Sequence, residues 1–235
     1  MKTFVVIPTY NERENIVNLI NKIFALQIPD LKIIVVDDNS PDKTAQAVAE
    51  AQQIYQDLYL VRRNGKLGIG SAYIAGFKKA LSLQAELIIE MDADFSHDPQ
   101  DLVRLISACE NGADLAIGSR KIKGGKIVGW NFRRHLMSNC AMMFSRLLLG
   151  LTTRDITAGF RCFRRGVLEK IDINTIKSNG YAFQEELLYR TEKLGFTIIE
   201  IPVTFKDREV GKSKLGKKEI KEFFVIIFKL KFKKI

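Results

Sequence analysis

Phe4-Val5-Val6-Ile7-Pro8-Thr9-Tyr10-Asn11-Glu12-Arg13-Glu14-Asn15-Ile16-Val17-Asn18-Leu19-Ile20 decides the fold class. Four consecutive apolar residues, Phe4 to Ile7, read as a strand buried on both faces. Asn11 to Glu14 reads as a capping box, with Glu14 reaching back to the cap. Ile16, Leu19, Ile20, Ile23 and Phe24 then recur at helical spacing. The same unit repeats outward along the chain. Apolar runs at 33–36, 58–61 and 87–91 precede helical patterns at 42–55, 71–83 and 100–110, and a fifth run spans 115–117. This alternation predicts an α/β fold, a mostly parallel sheet with helices on both faces. Residues 131–150 read as an apolar-rich amphipathic helix, 184–194 as another helix and 197–201 as a last strand. No repeat, low-complexity tract or linker divides the chain.

Ligands of such sheets bind beyond the carboxyl ends of the strands. The residues there are Pro8 to Glu12, Asp37 to Ser40, Arg62 to Asn64, Asp92 to Asp94, and Gly118 to Arg120. Charge concentrated at one rim is the signal for a site. Asp92-Ala93-Asp94 is its sharpest element: two carboxylates two residues apart can converge on one hard cation, Mg2+ or Mn2+, shared with substrate phosphates. Ser96 can join through its hydroxyl, whereas the imidazole of His97 suits a hard ion poorly. The plainer reading is an acidic loop ahead of the helix that starts near Asp98-Pro99. In Asp37-Asp38-Asn39-Ser40-Pro41-Asp42, one of the two leading carboxylates suits a base or ribose, and Ser40 to Asp42 suit helix capping. Gly65-Lys66-Leu67-Gly68-Ile69-Gly70 has the wrong spacing for a dinucleotide fingerprint and reads as a turn into a helix. Arg120, Arg133, Arg134 and Arg208 are candidate phosphate ligands, although a lone arginine is more often a surface residue. Neither His97 nor His135 has an evident nucleophile partner, which disfavours a hydrolase.

The 235 residues carry a formal net charge of +10, so an anionic partner is expected. From Lys212 onward, nine lysines face two glutamates. No nucleic-acid motif accompanies this charge, and nucleic acid is excluded as the partner. Cys109, Cys140 and Cys162 lack metal spacing and read as reduced thiols. No run reaches the ~18–20 apolar residues of a membrane span, and Met1-Lys2-Thr3 leads into too short an apolar run for a signal peptide. Residues 219–235, with Phe223 to Phe228 apolar between lysines, read as a short tail suited to a membrane interface or to docking on the protein itself.

Three motifs resemble the family 2 glycosyltransferases, and more narrowly the dolichol-phosphate (polyprenol-phosphate) mannose synthases. They are Val6 to Glu12, Val36 to Asp42, and Glu90 to His97. Gly118-Ser119-Arg120, Trp130 with Arg134 and Ser138, Asp155 to Arg161, Gly180 to Gln184, and Arg208 ahead of Gly211-Lys212-Ser213-Lys214 extend the resemblance. It implies a GT-A catalytic domain over residues 1–218, Rossmann-like with a mostly parallel mixed sheet. It also implies a GDP-mannose donor, a polyprenyl monophosphate acceptor and an inverting transfer. By the same resemblance, Pro8, Tyr10, Glu12, Val36, Asp38, Asp92, Ala93, Asp94, Arg120 and Arg208 bind the nucleotide sugar. Asp92, Asp94 and Ser96 hold Mg2+ or Mn2+, Arg134 and Ser138 hold the acceptor phosphate, and Asp94 and Arg120 are the catalytic pair. Ser96 stands where some members carry Gln, and Asn179 where many carry Lys. The expected placement is peripheral, on the cytoplasmic face of a membrane, by the tail or by an anchoring partner protein. UDP-glucose or UDP-N-acetylglucosamine is the alternative donor, and a non-catalytic membrane-associated scaffold is the alternative of another class.

Overall fold

The computed structural model describes residues 1–176, 178, 180–207 and 217–232. Strands β1 (Thr3–Thr9), β2 (Leu31–Asp37), β3 (Leu58–Arg62) and β4 (Leu87–Glu90) alternate with helices α1 (Arg13–Phe24), α2 (Thr44–Ala51), α3 (Ile69–Ser82) and α4 (Asp101–Glu110). Then come β5 (Leu115–Ser119), β6 (Lys126–Val128), α5 (Phe132–Leu149), β7 (Arg161–Arg164) and α6 (Arg165–Lys170). A 3-10 turn (Ile173–Thr175), α7 (Gly180–Lys193), β8 (Ile198–Pro202), β9 (Thr204–Lys206) and α8 (Lys217–Phe232) complete the order. The main sheet runs β3-β2-β1-β4-β7-β5-β8, and β6 pairs with β9 in a small second sheet. In the main sheet only β7 is antiparallel to its neighbours. The chain leaves β1 toward β2 and β3, then returns to β1's other side at β4. The crevice above β1 and β4 is thus the topological switch point, where ligands of open α/β sheets bind.

Strand periodicity sorts the core. Phe4, Val6, Ile34, Val36 and Ile88 face α3 and α7, whereas Val5, Ile7, Ile33, Val35 and Ile89 face α1 and α4. Both sets are buried, which is why the strands read as unbroken apolar runs. Helix α3 lies so close to the sheet that a Cβ on Gly76 would sit 2.2 Å from a Val6 methyl.

The start of α1 differs from the capping-box reading. Glu12 is the capping residue and makes no side-chain cap bond, while Asn11 adopts φ 61°. The main-chain N–H groups of Asn11, Glu12 and Arg13 donate instead to Ser40 Oγ, Thr44 Oγ1 and Asp42 Oδ2, in the β2–α2 loop and at the first residue of α2. That loop lies beside the helix start, so tertiary acceptors replace the local box.

Helix α8 covers much of the tail. Phe223, Ile227 and Leu230, spaced at helical intervals, are buried in the core on the α3 and α7 side of the sheet. Phe224, Val225, Phe228 and Phe232 are exposed. Phe144 of α5 meets Phe224 and Phe228 edge-on, with ring centroids 5.5 and 6.2 Å apart.

Candidate active site

At the ends of β1 and β2, the register sets Pro8 beside Val36 and Thr9 beside Asp37. The two aspartates that follow Val36 divide their roles. Asp37 accepts from Thr9 Oγ1, Ser40 Oγ and the Ser40 N–H, so its carboxylate is consumed in holding the loop. Asp38 instead faces Arg63, whose Nε lies 2.7 Å from Oδ1. Tyr10 lies under the Lys66 ammonium, 4.3 Å from the ring centroid. Glu12 accepts from Asn15 Nδ2 at 2.9 Å. Val36 and Ala93 turn their side chains into the core, so only their main chains can meet a ligand.

Beyond β4 the chain reverses through Phe95, at φ 60°, which folds Asp92 and Asp94 into one loop. Tyr73 of α3 donates its hydroxyl to Asp92 Oδ1 at 3.1 Å, and the Ser96 N–H donates to Asp94 Oδ1 at 3.1 Å. His97 is the partner the sequence did not supply. Burial lowers its ring to about 4, so at neutral pH the imidazole is uncharged, and Nδ1 accepts the Asp92 N–H at 3.2 Å. Its face stacks on Phe160, centroids 4.8 Å apart. His97 therefore holds the loop in shape.

The donor set fits a divalent cation. Two half-buried carboxylates share one short loop, and the buried Ser96 hydroxyl beside them has no hydrogen-bond partner. Among the described residues no cluster of three His, Cys, Asp or Glu side chains forms a closed cage. An ion at this loop therefore needs further oxygens from a ligand, as Mg2+ does when it bridges to substrate phosphates.

Arg120, just past β5, is locked by Asp155. Its Nε, Nη2 and main-chain N–H donate to the Asp155 carboxylate at 2.7, 2.6 and 2.8 Å, and Nη2 also reaches Thr157 Oγ1. Burial alone would raise the Asp155 carboxyl, but the Arg120 charge and hydrogen bonds outweigh it and hold it below the usual range. Glu200 on β8 fixes the turn by accepting the N–H groups of Arg154 and Asp155.

An aromatic bridge ties these parts together. Phe205 of β9 contacts His97 (5.9 Å), the Arg120 guanidinium (5.4 Å) and Trp130 (6.1 Å). Trp130 in turn carries the Arg134 guanidinium 4.1 Å from its centroid and lies 5.5 Å from the His135 ring. Arg134 donates to Asp207 at 2.6 Å, and Ser138 sits half-buried one turn further along α5. The structure thus gathers Asp92, Asp94, Arg120 and Arg134 along one connected rim. Arg208 lies outside the described residues. Asp155, Thr157, His97, Phe205 and Asp207 carry this arrangement although the sequence reading gave them no role. For Asp155 the available signal was a carboxylate inside a quoted motif that also holds Arg161.

Behind the rim lies a buried polar layer. Glu90 opposes Arg161 across the β4–β7 pair, and burial raises Glu90 to about 8 against the attraction of Arg161. Arg161 donates to the carbonyls of Gln184 and Ile156. Burial also raises Glu185 of α7 to about 8, with Ser145 and Arg161 opposing.

A mostly parallel sheet whose switch-point crevice is rimmed by aspartates and arginines has the form of a GT-A glycosyltransferase. Residues 4–172 match the glycosyl transferase family 2, and the chain belongs to that family. It is 45% identical over 94% of its length to the polyprenol monophosphomannose synthase of Mycolicibacterium smegmatis, of which the match covers 83%. It is 41% identical over 92% of its length to the undecaprenyl-phosphate mannosyltransferase of Micrococcus luteus, of which the match covers 88%. Two solved structures share the fold. Glucosyl-3-phosphoglycerate synthase from Mycobacterium tuberculosis, bound to Mn2+, UDP-glucose and phosphoglyceric acid, superposes at TM-score 0.67, with 19% identity over 97% of this chain and 80% of that one. A mannosyltransferase from Pyrobaculum calidifontis, bound to GDP-Man and Mn2+, gives 0.59, with 16% identity over 97% and 69%.

Proposed function

We propose that this protein transfers mannose from GDP-mannose to a polyprenyl monophosphate at a membrane surface, inverting the anomeric carbon and releasing GDP. The observation that carries this reading is identity above 40%, over more than nine-tenths of the chain, to two relatives named for mannosyl transfer to, or synthesis on, polyprenol phosphates. The site chemistry agrees with it. A phosphate monoester is already anionic near neutral pH, so it attacks the anomeric carbon without a strong general base. This suits a rim on which His97 is an uncharged loop support rather than a base.

The residues divide the work. Asp92 and Asp94, with Ser96 beside them, would hold Mg2+ or Mn2+, which when bound supplies Lewis-acid stabilisation to the departing diphosphate. Asp38, Tyr10 and Glu12 hold the nucleoside end. Arg120, its guanidinium fixed by Asp155, adds oriented positive charge at the centre of the rim. Arg134 and Ser138, one helical turn apart, receive the acceptor phosphate.

The acceptor's lipid calls for a bilayer beside α5. The outer face of that helix exposes Phe132, Leu136, Met137, Met143 and Leu147, and α8 continues it with Phe224, Val225, Phe228 and Phe232. So many large apolar side chains in one patch exceed what a soluble surface ordinarily carries. No helix among the described residues is long and apolar enough to cross a membrane. The patch therefore suits insertion at the interface, which also keeps the inner face of α5, with its phosphate ligands, at headgroup level.

The test is turnover. Purified protein is incubated with Mg2+ or Mn2+, a polyprenyl monophosphate in anionic liposomes, and GDP-mannose, UDP-glucose or UDP-N-acetylglucosamine in turn. The lipid product is identified by mass. A mannosyl lipid formed only from GDP-mannose supports the reading. A glucosyl or N-acetylglucosaminyl product, or no product, overturns it.

A further inference from the structure

We infer that Arg63 is a positioning residue for the donor's nucleoside: it keeps Asp38 charged and aimed, and the ligand takes the place now held on that carboxylate by the Leu67 N–H. The inference rests on the proposed use of a nucleotide donor. Asp38 and Arg63 form a nearly enclosed pair, with side chains 7% and 9% exposed. Nε of Arg63 lies 2.7 Å from Oδ1, and Nη2 lies 3.2 Å from Oδ2. Oδ1 is wholly buried, and Oδ2 carries the two longer contacts, so Oδ2 is the oxygen on which a ligand group can replace a present partner. Oδ2 already accepts the Leu67 N–H at 3.2 Å. Both contacts to Oδ2 are long for bonds to a carboxylate, which ordinarily fall near 2.7–2.9 Å. A base N–H or a ribose hydroxyl can therefore displace the Leu67 amide.

Arg63 also ties down the loop that carries Leu67. Its Nη1 donates to Ser71 Oγ at 3.0 Å, and Ser71 Oγ donates to the Gly68 carbonyl at 2.7 Å. Gly68 takes φ 98°, a left-handed conformation that lets the loop fold back over Asp38. The loop sets Lys66 over Tyr10, so one short segment closes both the aromatic and the acidic side of the pocket.

Charge makes the role testable. Burial raises the Asp38 carboxyl, and Arg63 is the main force opposing it, followed by the Leu67 N–H; Asp37 raises it further and Lys66 lowers it. Without Arg63 the carboxyl would hold its proton to higher pH. It would then offer an O–H donor where a nucleoside N–H or O–H needs an acceptor.

The experiment is calorimetric binding of GDP, with Mg2+, to wild type, Arg63→Met, Arg63→Lys, Asp38→Asn and the Asp38→Asn/Arg63→Met double variant, from about pH 7 to 9, with thermal melts as a folding control. Wild-type affinity is expected to be flat over this range. Arg63→Met should bind on the order of ten- to a hundredfold more weakly at the low end and recover as pH rises. Arg63→Lys should keep a flat profile. In the Asp38→Asn background, which has no charge to support, Arg63→Met should cost no further affinity. Should Arg63→Met not fold, this double variant still decides, because its buried pair is uncharged. An equal loss from Arg63→Met in both backgrounds, or a weakened but pH-flat Arg63→Met, overturns the inference. Wild-type protein that binds no nucleoside diphosphate overturns the proposed function together with it.

Discussion

Asp155→Asn tests whether the rim arginine works because it is locked. The wild-type carboxylate receives three N–H donors from Arg120, within 2.6–2.8 Å, at a site where Asp155 is wholly buried and Arg120 is 8% exposed. Asparagine keeps the shape but removes the charge, and its amide N–H2 meets one of the guanidinium donors. Removing one partner of a buried pair costs about 3–5 kcal/mol, because the other charge stays buried and uncompensated. For a chain of this size that corresponds to a melting temperature lower by roughly 6–20 °C. Mannosyl transfer should fall about a hundredfold or more, as when an oriented electrostatic donor is lost. A companion variant separates the two effects. Arg120→Met/Asp155→Leu replaces the pair by apolar residues, which is often neutral for stability, so it should melt near wild type yet stay inactive. Differential scanning calorimetry and a radiolabelled-lipid assay read both quantities. Wild-type turnover in Asp155→Asn, or activity in the apolar double variant, would refute the reasoning.

Asp94→Ala should lower turnover by orders of magnitude with little change in melting temperature, because its carboxylate is half-buried and is proposed to hold the metal that stabilises the leaving group; more than about a tenth of wild-type activity would dismiss that metal role. Arg134→Ala and Ser138→Ala should raise the KM for the lipid acceptor and leave that for the nucleotide sugar nearly unchanged, which two separate substrate titrations check. Glu185, raised to about 8 by burial, holds a proton in the folded state that the unfolded chain has lost. Stability should therefore fall as pH climbs from about 4.5 toward 8, by up to about 1.4 kcal/mol per pH unit for this group. Glu185→Gln should flatten that slope in melts recorded across the range, and an unchanged slope would count against it.

The half of the fold that was legible is the half whose strands are buried on both faces. Phe4 to Ile7, Ile33 to Val36 and Leu87 to Ile89 are unbroken apolar runs because helices cover both sides. β7 was not legible. Its sequence is Arg161-Cys162-Phe163-Arg164, and Arg161 is tolerated in the sheet centre because it donates to the Gln184 and Ile156 carbonyls and Glu90 faces it across the register. No local pattern announces a charge whose partner lies 71 residues away. β6 and β9, three residues each, exist only as each other's partners. The site followed the same division. Asp92, Asp94 and Arg120 stood out by residue type and by position after strands, and Arg134 by residue type and by the family resemblance. Asp155, Phe205 and Asp207, which orient them, act through contacts between segments distant in sequence.

The tail shows why a local apolar run cannot choose between two destinations. Phe223 to Phe228 is apolar all round the helix, which read as either core or membrane. The structure buries one face of the helix and leaves the other exposed, which leaves that second face open to the membrane role proposed for it. Phe223, Ile227 and Leu230 fall on the side that packs into the core, and Phe224, Val225, Phe228 and Phe232 on the side that extends the exposed surface of α5. The second destination needs the first, because an interfacial face is useful only if it is held at a fixed height relative to Arg134 and Ser138. Packing α8 into the core, with Phe144 of α5 wedged against Phe224 and Phe228, sets that height. The lysines at Lys229 and Lys231, in the last turn of α8, then lie where anionic headgroups would meet them, each adding on the order of 1 kcal/mol near such a surface. A tail that was only a membrane anchor could be tethered loosely; on the proposed reading, one that shares its helix with the core would couple bilayer position to the geometry of the acceptor site.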